Sequence, residues 1–155
     1  MAQSPGDAAF ARVPELIAAG DLAGAEAQSR ACIAVEPDHP RAWFTLADIL
    51  TQRGAFADAE RALQEQLAKR PTVEGHIVLA QMRERVGRLR AAEDVYLQIL
   101  RELPKHGTAL MAIAEFYGRN EAGREALKYW KRIMDLAPGD IRLSLAHAQA
   151  LLETA

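Results

Sequence analysis

Four histidines, one cysteine and two groups of basic residues are the side chains of this 155-residue chain with the chemistry to act on a ligand. A structural or catalytic zinc site gathers three or four imidazole, thiolate or carboxylate ligands, commonly from positions one helical turn or one tight loop apart. His39, His76, His106 and His147 fall mostly near predicted helix starts, and no pair of them has metal-ligand spacing with a carboxylate or thiol. No metal and no other cofactor is expected. Cys32 would be reactive only as a thiolate, which needs a basic neighbour. No basic residue stands one helical turn from it in sequence, so Cys32 reads as a small buried hydrophobe.

Arg83, Arg85, Arg88 and Arg90 would form a phosphate or nucleic-acid patch if unopposed, but Glu84, Glu93 and Asp94 lie among them. A mixed, solvated surface is the expectation there, and Lys128, Lys131 and Arg132 read as the outer face of a helix. Paired acids such as Asp58 and Glu60 lack a pocket that would shift their ionisation. The chain has no glycine-rich phosphate loop, nucleophile elbow or zinc-protease motif. No catalytic constellation emerges, and the chain by itself is not expected to be an enzyme.

The residues must therefore be read for what positions them. Half of the residues are hydrophobic but only 6% are aromatic, so alanine and leucine do the packing, as suits close-set helices. Nineteen basic and twenty-one acidic residues leave a net charge of -2, which gives no general attraction to nucleic acid or anionic membrane. No apolar run approaches the roughly 20 residues of a membrane span. The opening MAQSPGDAAF has neither a basic nor an apolar signal region. With a single cysteine that excludes an internal disulfide, this points to a cytoplasmic protein.

The clearest stretch runs from Trp43 to Pro71. Trp43, Leu46, Ala47 and Leu50 share one helical face; Gly54 breaks the pattern; Ala59, Leu63 and Leu67 line the face of a second helix; Pro71 ends it. This unit repeats. Prolines at 37, 71, 104 and 138 are spaced by 34, 33 and 34 residues. Gly20, Gly54 and Gly87 each stand 17 residues before their proline, and Ala25, Ala59, Ala92 and Ala126 stand 12 before theirs. The third unit has His76 in the Trp43 slot, and the fourth has Glu121 in the turn-glycine slot. Pro14 interrupts the first, so its first helix is expected to kink or to begin properly only there.

The order Trp, Leu-Ala, Leu, Gly, Ala, Leu, Pro resembles the tetratricopeptide repeat. The resemblance implies an all-α, right-handed solenoid of antiparallel helix pairs. It would be a single domain over 1–155, with repeats at about 7–38, 39–72, 73–105 and 106–139 and an extra helix at 140–153. That last helix is apolar on more than one side, through Leu143, Leu145, Ala148, Leu151 and Leu152. A closing helix that faces water should be polar outside. A natural protein that continues beyond this chain is the expectation, with a self-capping or dimerising helix as the alternative.

By the same resemblance, first helices line a concave groove that holds a peptide or helix. The slot after the Trp43 position reads Phe10, Phe44, Ile77, Met111 and Leu145, all apolar; the slot four further on reads Asp48, Gln81 and Glu115. These imply a protein partner that offers an apolar helical or extended segment with basic residues alongside, and neither nucleic acid nor membrane. The alternative is that the apolar row packs between helices. A clamp for a chaperone's terminal carboxylate is not expected, since Phe44 and Asp48 stand where it would need a base and an amide. The first functional reading is thus an adaptor or scaffold. A second is the substrate-recruiting domain of a larger bacterial enzyme, such as a protein glycosyltransferase with a flagellin-like acceptor or a sulfotransferase, with the last helix packed on a downstream domain or a second copy. A third is self-assembly of repeats end to end.

Overall fold

A computed structural model describes residues 4–39 and 41–153, and all regular structure among them is helical. The contacts gather in two compact units, Met1–Arg88 and Leu89–Ala155. The first contains α1 (Pro5–Phe10), α2 (Val13–Ala18), α3 (Leu22–Val35), α4 (Ala42–Gln52), α5 (Phe56–Lys69) and α6 (Val73–Arg85). The second contains α7 (Leu89–Glu102), α8 (Gly107–Arg119), α9 (Gly123–Leu136) and α10 (Ile141–Glu153). Within each unit, consecutive helices joined by tight turns fold back on one another, the helix-pair stacking of an α-solenoid.

The turns explain the glycine spacing. Gly20, Gly54 and Gly87 take φ of 77°, 78° and 77°, the left-handed region open to glycine. In each turn the next residue donates its N–H back across the helix end. Asp21 reaches the carbonyl of Leu16 at 2.9 Å, Ala55 that of Leu50 at 2.8 Å and Arg88 that of Arg83 at 2.9 Å. These are the bonds of a Schellman cap, which satisfy carbonyls the helix leaves unpaired. The fourth turn has the same bond, Ala122 N–H to the Tyr117 carbonyl at 2.9 Å, with Glu121 at φ 59° in the glycine's place.

The prolines end the second helices by constraining the residue before them. Glu36, Arg70 and Ala137 leave helical geometry with ψ of 85°, 88° and 66°, because a proline ring crowds a preceding residue held in the α conformation. At the N-terminus, Ser4 and Asp7 form a reciprocal capping box. Of the kink or fresh start expected at Pro14, the chain takes the fresh start: α1 stops at Phe10, residues 11–12 form a turn, and Pro14 sits in the first turn of α2. A proline at that position of a continuous helix would clash with the carbonyl four residues back, that of Phe10.

The core of the first unit has two clusters. One joins Trp43, Leu46, Ala47 and Leu50 of α4 to Ala59, Ala62, Leu63 and Leu67 of α5 and to Leu79 and Met82 of α6. The other packs Phe10, Val13, Ala25, Cys32, Ala42 and Ile49. Ala47 and Ala59 are buried at the crossing of α4 and α5, where larger side chains would force the helices apart. In the second unit, Tyr96, Leu110, Ile113, Phe116 and Trp130 are buried, and Tyr96 and Phe116 meet at 5.4 Å between ring centroids.

Candidate functional site

The side chains singled out for chemistry are mostly employed in holding the helices. His39 lies against the Asp7 carboxylate at 3.2 Å, and its ring packs on Phe10. His76 donates from Nδ1 to the carbonyl of Thr72 at 2.7 Å, and His106 caps α8 by accepting the Ala109 N–H. Among the described residues no three His, Cys, Asp or Glu side chains gather as a metal site. Cys32 is buried, and desolvation first, then the charges of Glu36 and Asp7, push its thiol above the ordinary range, which makes the thiolate scarcer. Two of the four arginines grip one carboxylate: Arg83 and Arg88 donate to the two oxygens of Glu60 at 2.8 and 2.6 Å, bridging α5 to the end of α6. Tyr117 donates to Glu93 at 2.5 Å and stacks on Tyr129. Burial foremost, and then Glu93, push its ionisation well above the ordinary tyrosine value, so it supplies no acid or base near neutral pH.

The apolar row of Phe10, Phe44, Ile77, Met111 and Leu145 divides by burial. Phe10 is 5% exposed, capped by the His39 ring and by the Arg41 guanidinium 5.1 Å from its centroid, and Ile77 is 8% exposed. Both belong to the interior. The break before Pro14 separates α1 from α2, and the residues that cover Phe10 come from the loop before α4, some thirty positions away. Phe44 is half-buried against the larger cluster, whereas Met111 is 36% and Leu145 69% exposed. In the polar row, Asp48 and Glu115 are exposed and Gln81 is half-buried. Asp48 lies 3.7 Å from Arg85 and Glu115 3.6 Å from Arg119, so the acidic slots carry basic neighbours of their own.

Two hollows stand next to these positions, one in each unit. In the second unit a cleft of about 460 Å³ lies among α8, α9 and α10. Glu115 and Gln149 are in its lining, Trp130 is the aromatic, and Ala114, Gly118 and Ala146 leave the space open. In the first unit a smaller cavity of about 240 Å³ lies where the end of α5 meets the starts of α4 and α6. Trp43, Phe44, His39 and Gln66 are among its lining residues. Sequence reasoning placed Glu115 and Phe44 but missed Gln66 and Trp130 as lining residues. The repeat pattern assigns both to second helices.

Residues 16–82 match the tetratricopeptide repeat family. Over that stretch the chain carries tetratricopeptide repeats, and the helix pairs described above have the fold of such repeats. Among solved structures it is similar to a tetratricopeptide repeat protein from Parabacteroides merdae, with a TM-score of 0.69 and 20% identity. The match covers 96% of this chain and 59% of that one, so the chain spans well under two thirds of that protein's length. It is also similar to MamA from Desulfovibrio magneticus RS-1, with a TM-score of 0.63, 14% identity and coverage of 98% and 93%. A third similar structure is YrrB, described as a TPR protein with an unusual peptide-binding site (TM-score 0.63, 16% identity, coverage 94% and 75%). These likenesses show the fold. No curated protein matches the chain in sequence. A repeat stack of this kind is a scaffold for protein–protein contact.

Proposed function

We propose that the chain is an adaptor that holds a helical or extended segment of a partner protein on the first helices of its repeats. The observation that carries this reading is a recurrent pair: an apolar residue and an acid one turn apart, Phe44 with Asp48 on α4 and Met111 with Glu115 on α8. A helix turns this pair to one side, so α4 and α8 each offer a partner an apolar contact beside a charge. The cleft beside Glu115 adds a concave surface in the second unit. A preformed stack loses little conformational entropy when a segment docks, which favours binding through a modest contact area. A cytoplasmic location is part of this reading; among the described residues no helix is long and apolar enough to cross a membrane.

The test is capture from lysate with the wild-type chain and with a Phe44→Glu/Met111→Glu variant shown to be folded. A discrete protein retained by the first and lost by the second supports the first-helix surface. Retention by both would move the site elsewhere and sink this assignment.

The outward leucines of α10 favour a second reading. Leu145 and Leu152 are 69% and 79% exposed, and apolar side chains so placed are suited to be covered by a downstream domain or a second copy. In that case the repeats recruit an acceptor protein for an attached catalytic domain, of the glycosyltransferase or sulfotransferase kind.

A further inference from the structure

The cleft among α8, α9 and α10 is a socket whose filling side chain is missing from the chain's own repeat. We propose that an apolar side chain of a partner protein, of leucine to phenylalanine size, takes that place. The missing residue is found by register. Ile49, Met82 and Phe116 each stand five residues before a turn residue, respectively Gly54, Gly87 and Glu121. One repeat of 34 residues beyond Phe116 the chain has Ala150. Ile49, Met82 and Phe116 are all buried, and each packs back on the helix pair before it. Ile49 clusters with Val13 of α2 and Ala25 of α3, and Met82 with Ala47 of α4 and Ala59 of α5. Phe116 meets the Tyr96 ring of α7 at 5.4 Å. Three times, then, a large apolar side chain of a first helix fills the space over the preceding pair.

At the last junction that space is open. Ala150 lines the cleft of about 460 Å³ together with Ala114 and Trp130, which hold the slots of Ala47 and Tyr96. It also lines a neighbouring hollow of about 460 Å³ at the α8–α9 turn, with Ala126, the counterpart of Ala25 and Ala59. A methyl group stands where the other junctions have isoleucine, methionine and phenylalanine, so the contacts made there are left unmade here. Three different apolar shapes serve the slot elsewhere, so it selects for apolar size and tolerates shape. The rim indicates what carries the incoming side chain. Glu115, Arg119 and Gln149 stand exposed around the opening, and Glu115 lies 3.6 Å from Arg119. Such a charge-balanced rim of donors and acceptors suits the N–H and C=O groups of a peptide backbone. A free hydrocarbon would leave those groups unused.

This inference rests on the adaptor reading for its protein partner, but its first test does not. Uniformly 15N-labelled chain is titrated with N-acetyl-phenylalanine N-methylamide, and separately with the alanine and glutamate counterparts. The indole N–H of Trp130 and the backbone N–H of Gly118 are followed by NMR. The phenylalanine probe is expected to shift both signals saturably, at least about tenfold more tightly than the alanine probe, as burial of the larger apolar side chain requires. Ala150→Phe and Ala150→Met restore the filling residues found at 116 and 82. Each should raise Tm, as cavity filling does, and abolish the probe shifts. Equal binding of the three probes, shifts that persist in Ala150→Met, or a Tm lowered by both substitutions would each overturn the assignment. Should Ala150→Phe not fold, the more pliable Ala150→Met decides. Mass that grows with concentration in the wild-type chain but not in Ala150→Met would give the socket to a second copy and overturn the partner. Capture of a protein that is unchanged in Ala150→Met sinks this inference and leaves the adaptor reading. Capture lost in Ala150→Met but unchanged in Phe44→Glu/Met111→Glu sinks the first-helix assignment alone.

Discussion

Glu121 is the described residue, glycine aside, that holds a positive φ, at 59°. A side chain there crowds the backbone at a cost of roughly 1 kcal/mol, which glycine avoids. Glu121→Gly should therefore raise stability by about 0.5–1 kcal/mol in chemical denaturation, even after glycine's extra freedom in the unfolded chain is counted. An unchanged or lower midpoint would show the turn to be unstrained. Asp7 gives a pH dependence. Its carboxyl is held below the ordinary 3.8, first by the hydrogen bond from His39 and then by those from Ser4. A group with a depressed folded pKa contributes stability that is present above its unfolded value and lost as pH falls through the folded one. The acid limb of the melting curve, from about 3.8 downward, should accordingly flatten in Asp7→Asn, as measured by Tm against pH. At this scale the sequence was readable where one residue type has one use: Gly54 had to turn and Cys32 had to be buried. It was opaque at Phe10, whose cover comes from His39 and Arg41, and at Gln66, whose neighbours meet only when three elements converge.

At the level of elements, the repeat phase did the predictive work because each of its markers has a single mechanical role. Pro37, Pro71 and Pro138 end helices by forcing the preceding residue out of α geometry, and Ala59 admits the neighbouring helix. Ala59→Arg would drive a charge and a long side chain into the crossing of α4 and α5. A loss of about 4 kcal/mol is expected, enough to unfold those repeats, with raised hydrogen exchange across α4 and α5 as the readout. Met111→Glu lies on the exposed side of α8. It should change stability by less than about 0.5 kcal/mol while reducing partner capture. A sharp fall in Tm would place Met111 in the packing instead. Pro14 allowed either a kink or a helix that begins there, and α2 begins beside it, at Val13, after a separate short α1.

For the molecule as a whole, association is the property on which the functional readings differ. The adaptor reading expects one 17.0 kDa species in sedimentation at all concentrations tested. Mass that grows with concentration would favour covering of Leu145 and Leu152 by another copy, and a Leu145→Glu/Leu152→Glu variant should then return the chain to a monomer. Trp43 and Trp130 are the two tryptophans of the chain, one in each compact unit, and both are buried. Trp43 is further anchored by its indole N–H, which donates to the Pro37 carbonyl at 2.7 Å. Each half of the protein therefore has its own intrinsic fluorophore. With Trp130→Phe or Trp43→Phe, the red shift of the remaining emission would time the opening of one unit without signal from the other, so the order in which the repeats come apart can be followed without a dye or a label.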